Sequence, residues 1–210
     1  MTRYDADRGE WSNKAHLAAR KYVYPIFFQS ENLEFEDTLL QHGERQRILD
    51  GELGIDRIVK VHCGFREPLK FYIQERFRPP DRARFRDVSI TEFNHETGQP
   101  SELYKIAATL FVYGYYDPSG DYFPEVVVFN VGTLLWEMAR GNVKLKGGRF
   151  KEKNQSFVGI EFDELKRVKA LMFDGKNLGV ISAGKYMRLL RSNGRRERLD
   201  QNTRQSFGVL

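Results

Sequence analysis

Between residues 10 and 24 apolar positions recur at helical spacing. Ala15, Leu17, Ala18, Ala19, Tyr22 and Val23 supply one face, Ser12 or Asn13 a cap, and Pro25 a stop. From Glu31 to Leu49 the pattern predicts an interrupted helix on Phe35, Leu39 and Leu40, broken at Gly43. Strand patterning then takes over. Ile55–His62, Leu69–Phe77 before Pro79-Pro80, and Phe85–Phe93 predict three strands. Ser101 opens a predicted helix to about Phe111, and Glu125–Asn130 predicts a strand buried on both faces. Thr133–Arg140 predicts a helix closed by Gly141. Val143–Asn154 reads as a basic loop or hairpin, Ser156–Phe162 as a strand and Asp163–Met172 as a short helix. Beyond Leu178 there is a basic tail with one helical stretch near Lys185–Arg191. This order predicts an α/β (α+β) fold, a central mixed β-sheet flanked by helices. Residues 1–140 form its core, and 141–210 are a basic C-terminal extension packed on, or continuing, the same domain.

Composition narrows the class. The chain has 210 residues, 40% of them hydrophobic and 30% charged, enough for a sizeable core. No apolar run is long enough to span a bilayer, and the first residues lack the apolar region of a secretory signal. Cys63 is the single cysteine, which excludes an internal disulfide and a cysteine-rich zinc site. The expectation is a soluble, cytoplasmic protein. The net charge of +5 is unevenly spread. Residues 1–140 carry 18 Lys/Arg against 22 Asp/Glu; residues 141–210 carry 16 against 7. A basic end on an acidic body suggests a polyanion near a carboxylate-containing site, although Lys and Arg also serve simply to solvate a surface. Lys144, Lys146, Arg149, Lys151 and Lys153 fall in one segment, and Arg188, Arg191, Arg195, Arg196 and Arg198 in another. Several of them are expected to contact phosphates.

The residues themselves leave few chemistries open. Gly141–Arg149 lacks the Gly-Lys-Ser/Thr ending of a P-loop, and no Gly-x-Gly-x-x-Gly follows a strand. His16, His42, His62 and His95 lack metal-ligand spacing. A polar set at strand positions remains. Asp56 opens the first strand, and alternation puts Tyr72, Gln74 and Arg76 on one face of the second. A hard divalent cation takes oxygen ligands, which the Asp56 carboxylate, the Gln74 amide and the main-chain carbonyl of Glu75 can offer. An ordinary solvated sheet face fits the same alternation. Glu75 falls on the opposite face, among Phe71, Ile73 and Phe77; it becomes the acidic ligand only if a bulge shifts the register. Glu102 and Lys105, three apart on a helix, form either a surface ion pair or a source of a catalytic amine. The aromatic cluster Phe111, Tyr113, Tyr115 and Tyr116 reads as core or as a base-stacking surface.

Gly54-Ile55-Asp56 followed by Tyr72-Ile73-Gln74-Glu75-Arg76 resembles the Asp … (Asp/Glu)-x-Lys signature of the restriction-endonuclease-like nuclease superfamily. Ala15-His16 with Tyr24-Pro25, Asp87–Thr91, and Gly98 with Ser101–Ile106 resemble a phage and bacterial branch of it, over roughly residues 12–130. The resemblance implies a restriction-endonuclease-like core that hydrolyses DNA with Mg²⁺ or Mn²⁺, of a fold whose nucleases often pair as homodimers. It casts Asp56 as a metal ligand, Gln74 in place of the usual acid, and Arg76 in the lysine position. Arg76 keeps the positive charge that holds a phosphate but cannot deprotonate, so a water on the metal would supply the nucleophile and Lys105 the missing amine. A helical carboxylate near the metal is also implied; Asp50 and Glu36 are favoured over Glu44. The two substitutions equally suit a protein of this fold that binds nucleic acid or a protein partner without cleavage.

Overall fold

The computed structural model describes residues 3–38, 48–150 and 154–179, together with 184, 185 and 188. Glu44, Lys151, Lys153, Arg191, Arg195, Arg196 and Arg198 lie outside the described residues.

The chain starts with a continuous helical arm. An α-helix, α1 (Arg3–Ala18), widens into a π-turn at Ala19–Val23 and resumes as α2 (Tyr24–Phe27). The helix therefore runs past Pro25 instead of stopping there. Pro25 sits in the first turn of α2, where its missing N–H costs nothing because the wide turn already breaks the regular ladder.

Among the described residues ten strands follow: β1 (Leu33–Asp37), β2 (Arg57–Val61), β3 (Leu69–Arg78), β4 (Asp87–Asn94), β5 (Gln99–Pro100), β6 (Leu110–Asp117), β7 (Tyr122–Asn130), β8 (Lys146–Phe150), β9 (Gln155–Glu161) and β10 (Leu171–Gly179). Helix α3 (Val131–Ala139) separates β7 from β8, and α4 (Phe162–Arg167) separates β9 from β10. The larger sheet has the order β1-β2-β3-β6-β7-β10, and the smaller β5-β4-β9-β8. In the larger sheet every pair is antiparallel except β3 and β6. A parallel pair needs a long crossover; here β4, β5 and a short 3₁₀ turn (Glu102–Tyr104) provide it. The fold is thus α+β with a mixed central sheet, as the sequence predicts.

Three further elements differ from the sequence reading. Residues 33–37 are an edge strand, not helix; the Leu33/Phe35 alternation pairs with β2, and Glu34 meets Lys60 across it at 2.6 Å. The helix expected over 101–111 is only the 3₁₀ turn, followed by β6 from Leu110. Phe111, Tyr113 and Tyr115 face one core and Leu110, Val112 and Tyr116 the other, so a strand buried on both sides carries no alternation to reveal it. The aromatic cluster is core, on a strand. The helix after β9 ends at Arg167, and Leu171–Gly179 pairs with β7 as β10. The basic 143–154 segment enters a hairpin, with β8 on β9.

The larger sheet is the middle layer. Against one face, Ala15, Ala18, Ala19, Tyr22, Val23 and Tyr24 of the helical arm pack on Val59, Ile73, Val112 and Val128. Against the other, Val88, Ile90, Val158 and Ile160 of the smaller sheet, with Leu134 of α3 and Phe162 and Leu165 of α4, pack on Phe111, Tyr113 and Phe129. Along residues 87–89, β4 has no strand neighbour on its β3/β6 side, so side chains close that edge. The Tyr115 hydroxyl donates to the Asp87 carbonyl at 3.0 Å and accepts its N–H at 3.3 Å; Arg76 donates to the Ser89 carbonyl at 3.1 Å. No described helix is long and apolar enough to cross a membrane.

Candidate active site

The β3/β6 register places Gln74 beside Phe111 and Arg76 beside Tyr113, so both face the smaller sheet, while Glu75 beside Val112 faces the helical arm. Gln74 and Arg76 form the floor of a cleft of about 260 Å³. Its walls are Ser101, Glu102 and Lys105 from the 3₁₀ turn, and Asp50 and Gly54 from the π-turn over Ile48–Glu52 and its exit. Gly54 has φ +57°, the left-handed conformation, and a Cβ there would lie 3.1 Å from Gln74 Oε1.

Asp56 sits where β2 parts from β3. Its N–H donates to the Ile73 carbonyl at 2.9 Å, and its Oδ2 accepts the Glu75 N–H at 2.6 Å, replacing the next main-chain acceptor. Burial pushes its carboxyl well above the usual carboxylate range; the Glu75 N–H opposes this, and the charges of Glu75, Asp50 and Glu102 add to it. Two of those three carboxylates line the cleft.

Glu102 organises the floor. It pairs with Arg76, accepts from Gln74 Nε2 at 3.4 Å, and accepts from the Thr91 hydroxyl at 3.2 Å. It is therefore Arg76 that it engages, not Lys105. Lys105 is exposed at the wall and has no ion pair among the described residues. With Nε2 held by Glu102, Gln74 Oε1 is buried with no hydrogen-bond partner among the described residues. An unpartnered buried acceptor carries a cost that a cation or donor would remove.

Glu75 does not face the cleft, and no bulge turns it there. Its carboxylate is fully buried against the arm, where it accepts from Arg57 Nε and Nη2, both at 3.1 Å, from His16 Nδ1 at 2.5 Å and from the Tyr24 hydroxyl. Burial alone would raise its carboxyl, but the His16 hydrogen bond and the Arg57 charge more than offset that, holding it at about 2. Arg57 also pairs with Asp37, which Arg20 shares. His16 and Tyr24 thus meet on Glu75, behind the cleft.

The remaining candidates lie further away. Glu36 is on strand β1, not a helix; it stands opposite Ile58 in register and 3.9 Å from Lys60, outside the cleft lining. Lys144, Lys146 and Arg149 lie at or on β8, the outer edge of the smaller sheet, and all three are exposed. Lys146 pairs with Glu161 and Arg149 with Asn154. Arg188 is exposed. The sequence reading holds Gly54 and Ser101 only within the resembling segments and Glu102 only as the neighbour of Lys105; no local spacing marks the three as cleft residues.

Among the described residues no three His, Cys, Asp or Glu side chains stand together as a metal-ligating set. The oxygen donors in question are the Asp56 carboxylate, buried and outside the cleft lining, the Gln74 amide on the cleft floor, and the Glu75 carbonyl, which shares the strand edge of its N–H. That set fits Mg²⁺, which is commonly held by one or two carboxylates and completed by water and phosphate, better than it fits Zn²⁺.

No family model matches the chain, and no curated protein matches it. Among solved structures the fold is similar to D212, a nuclease from a fusselovirus, at 12% identity over 81% of this chain and 94% of that one, with a TM-score of 0.33. A score of that size carries no inference about activity.

Proposed function

We infer that the cleft is the active site of a divalent-metal-dependent nuclease acting on DNA. The observation that carries this reading is the unpartnered, buried Gln74 Oε1 beside a carboxylate-rich cleft floored by Arg76. Asp56, Gln74 and the Glu75 carbonyl would hold Mg²⁺ or Mn²⁺, with Asp50 near enough to assist. The ion, when bound, supplies Lewis acidity and a water of lowered pKa. The chain supplies the rest. Arg76 holds a non-bridging phosphate oxygen, a role that needs charge and fork geometry and no proton transfer. Lys105, exposed and without an ion pair among the described residues, offers an ammonium to the leaving oxygen. Glu102 orients both Gln74 and Arg76. The test is cleavage of single-stranded or duplex oligonucleotide DNA with Mg²⁺ or Mn²⁺, abolished in Asp56→Ala with the fold retained by circular dichroism. Binding without cleavage under every metal condition would instead support a nuclease-like protein that has lost catalysis. The Arg76–Glu102 pair favours that second reading, because it neutralises the cation before any phosphate arrives.

A further inference from the structure

Beyond the cleft, β3 continues with a row of side chains that the catalytic reading leaves unused. Tyr72 and Lys70 lie two and four residues before Gln74, on the same face by strand alternation. Tyr72 is 38% exposed although its cross-strand partner Ile58 is buried. Lys70 is exposed and has no ion pair among the described residues. Its cross-strand partner is Lys60, whose charge is met by Glu34 at 2.6 Å. Like charges directly opposite each other destabilise a sheet, and among the described residues Lys70 has no counter-charge to offset this.

We propose that this row is a binding track for one unpaired nucleic-acid strand, with Tyr72 stacking a base and Lys70 holding the phosphate beyond it. This rests on the nuclease reading of the cleft and names its substrate class. Three observations carry it. The floor is recessed: Gln74 is 8% exposed and the Glu102 side chain 10%, so a phosphate inside a smooth duplex cannot descend to it. Tyr72 offers a ring beside the floor, and a base has a free face for it only once it leaves a duplex stack. Alternate residues of a strand repeat every 6.6–6.8 Å or about that, a step close to the phosphate repeat of an extended single strand. Gln74, Tyr72 and Lys70 therefore match cleft, base and phosphate in order.

The experiment is fluorescence anisotropy in EDTA, which removes chemistry, using a labelled oligo-dT and a labelled duplex of equal length. Wild-type protein is expected to prefer the single strand. Tyr72→Phe retains affinity, and Tyr72→Ala weakens it roughly fivefold or more without changing the salt slope. Lys70→Ala lowers the slope of log affinity against log salt by about 0.7, the single-strand increment for one phosphate. Both positions are exposed, and thermal melts confirm folding. Equal or tighter duplex binding overturns the proposal, as does wild-type affinity in Tyr72→Ala. So does displacement by polyglutamate at equal charge, which would mark a docking site for an acidic protein. The two readings fail separately. Tyr72-dependent binding with no cleavage under any metal sinks the nuclease and leaves the track; cleavage indifferent to Tyr72→Ala does the reverse.

Discussion

Asp56 accepts the main-chain N–H of Glu75 at 2.6 Å, while the Glu75 side chain turns to the opposite face of the sheet and is held there by Arg57 and His16. One residue thus ties both layers together: its backbone N–H holds the Asp56 carboxyl and its own carboxylate anchors the helical arm. The two carboxyls are displaced in opposite directions, Asp56 upward and Glu75 down to about 2. Their contributions to stability have opposite pH dependence.

Asp56 binds its proton more tightly in the folded chain than in the unfolded one. Its contribution is fully present below about pH 4 and is lost as pH rises through the elevated folded value. Asp56→Asn keeps an acceptor for the Glu75 N–H and removes the charge. It is expected to raise the melting temperature at pH 7 in EDTA and to abolish cleavage. A lower melting temperature would make Asp56 a structural cap alone.

Glu75 behaves the other way. Its stabilisation is complete above about pH 4.5, the unfolded range, and is lost as pH falls towards 2. Glu75→Gln is expected to cost on the order of 3 kcal/mol at pH 7, with most of that difference gone at pH 2. Urea unfolding at the two values reads this directly. A penalty independent of pH would mean that packing, not charge, sets the role of Glu75.

Gln74→Glu places a second carboxylate against Glu102 and removes the donor that Glu102 accepts. In EDTA the variant is expected to lose about 1–3 kcal/mol. Titration calorimetry should show Mg²⁺ binding at least roughly tenfold tighter, since a carboxylate outbids an amide for a hard cation. Unchanged Mg²⁺ affinity would remove Gln74 from the ligand set.

Gly54→Ala forces an L-residue into φ +57° and brings a methyl to 3.1 Å from Gln74 Oε1. Gly64→Ala, at φ +79° with nothing within 4 Å, carries the backbone strain alone. Both should lose about 1–2 kcal/mol from conformation, and only Gly54→Ala should also weaken Mg²⁺ binding. Equal behaviour of the pair would show that Gln74 yields freely.

Much of this architecture is legible in the sequence wherever one periodicity dominates. β2, β3, β4 and β7 were all readable, and so was the juxtaposition of Gln74 and Arg76, because alternation along one strand fixes it. What could not be read depends on partners distant in sequence. β6 is sandwiched between two cores and loses its alternation. β1 carries three acids in five residues, tolerable because it is an edge strand with Lys60 beside it. Glu102 appeared to belong to Lys105 because helical spacing was assumed; once residues 102–104 form a single 3₁₀ turn, the nearest cation is Arg76 on another strand. The Glu75 cluster draws on residues 16, 24, 57 and 75, which no local pattern connects.

Arg76 serves two masters, the Ser89 carbonyl that seals the open edge of β4 and the Glu102 carboxylate in the cleft. A lysine has no planar fork to divide between a carbonyl and a carboxylate. The arginine that departs from the lysine signature is thereby a rivet through the seam of the two sheets. A strand drawing Arg76 toward its phosphate would loosen that rivet, so occupancy of the cleft would be felt at the Asp87–Ser89 edge. Hydrogen exchange at those amides becomes a remote gauge of whether the cleft is filled.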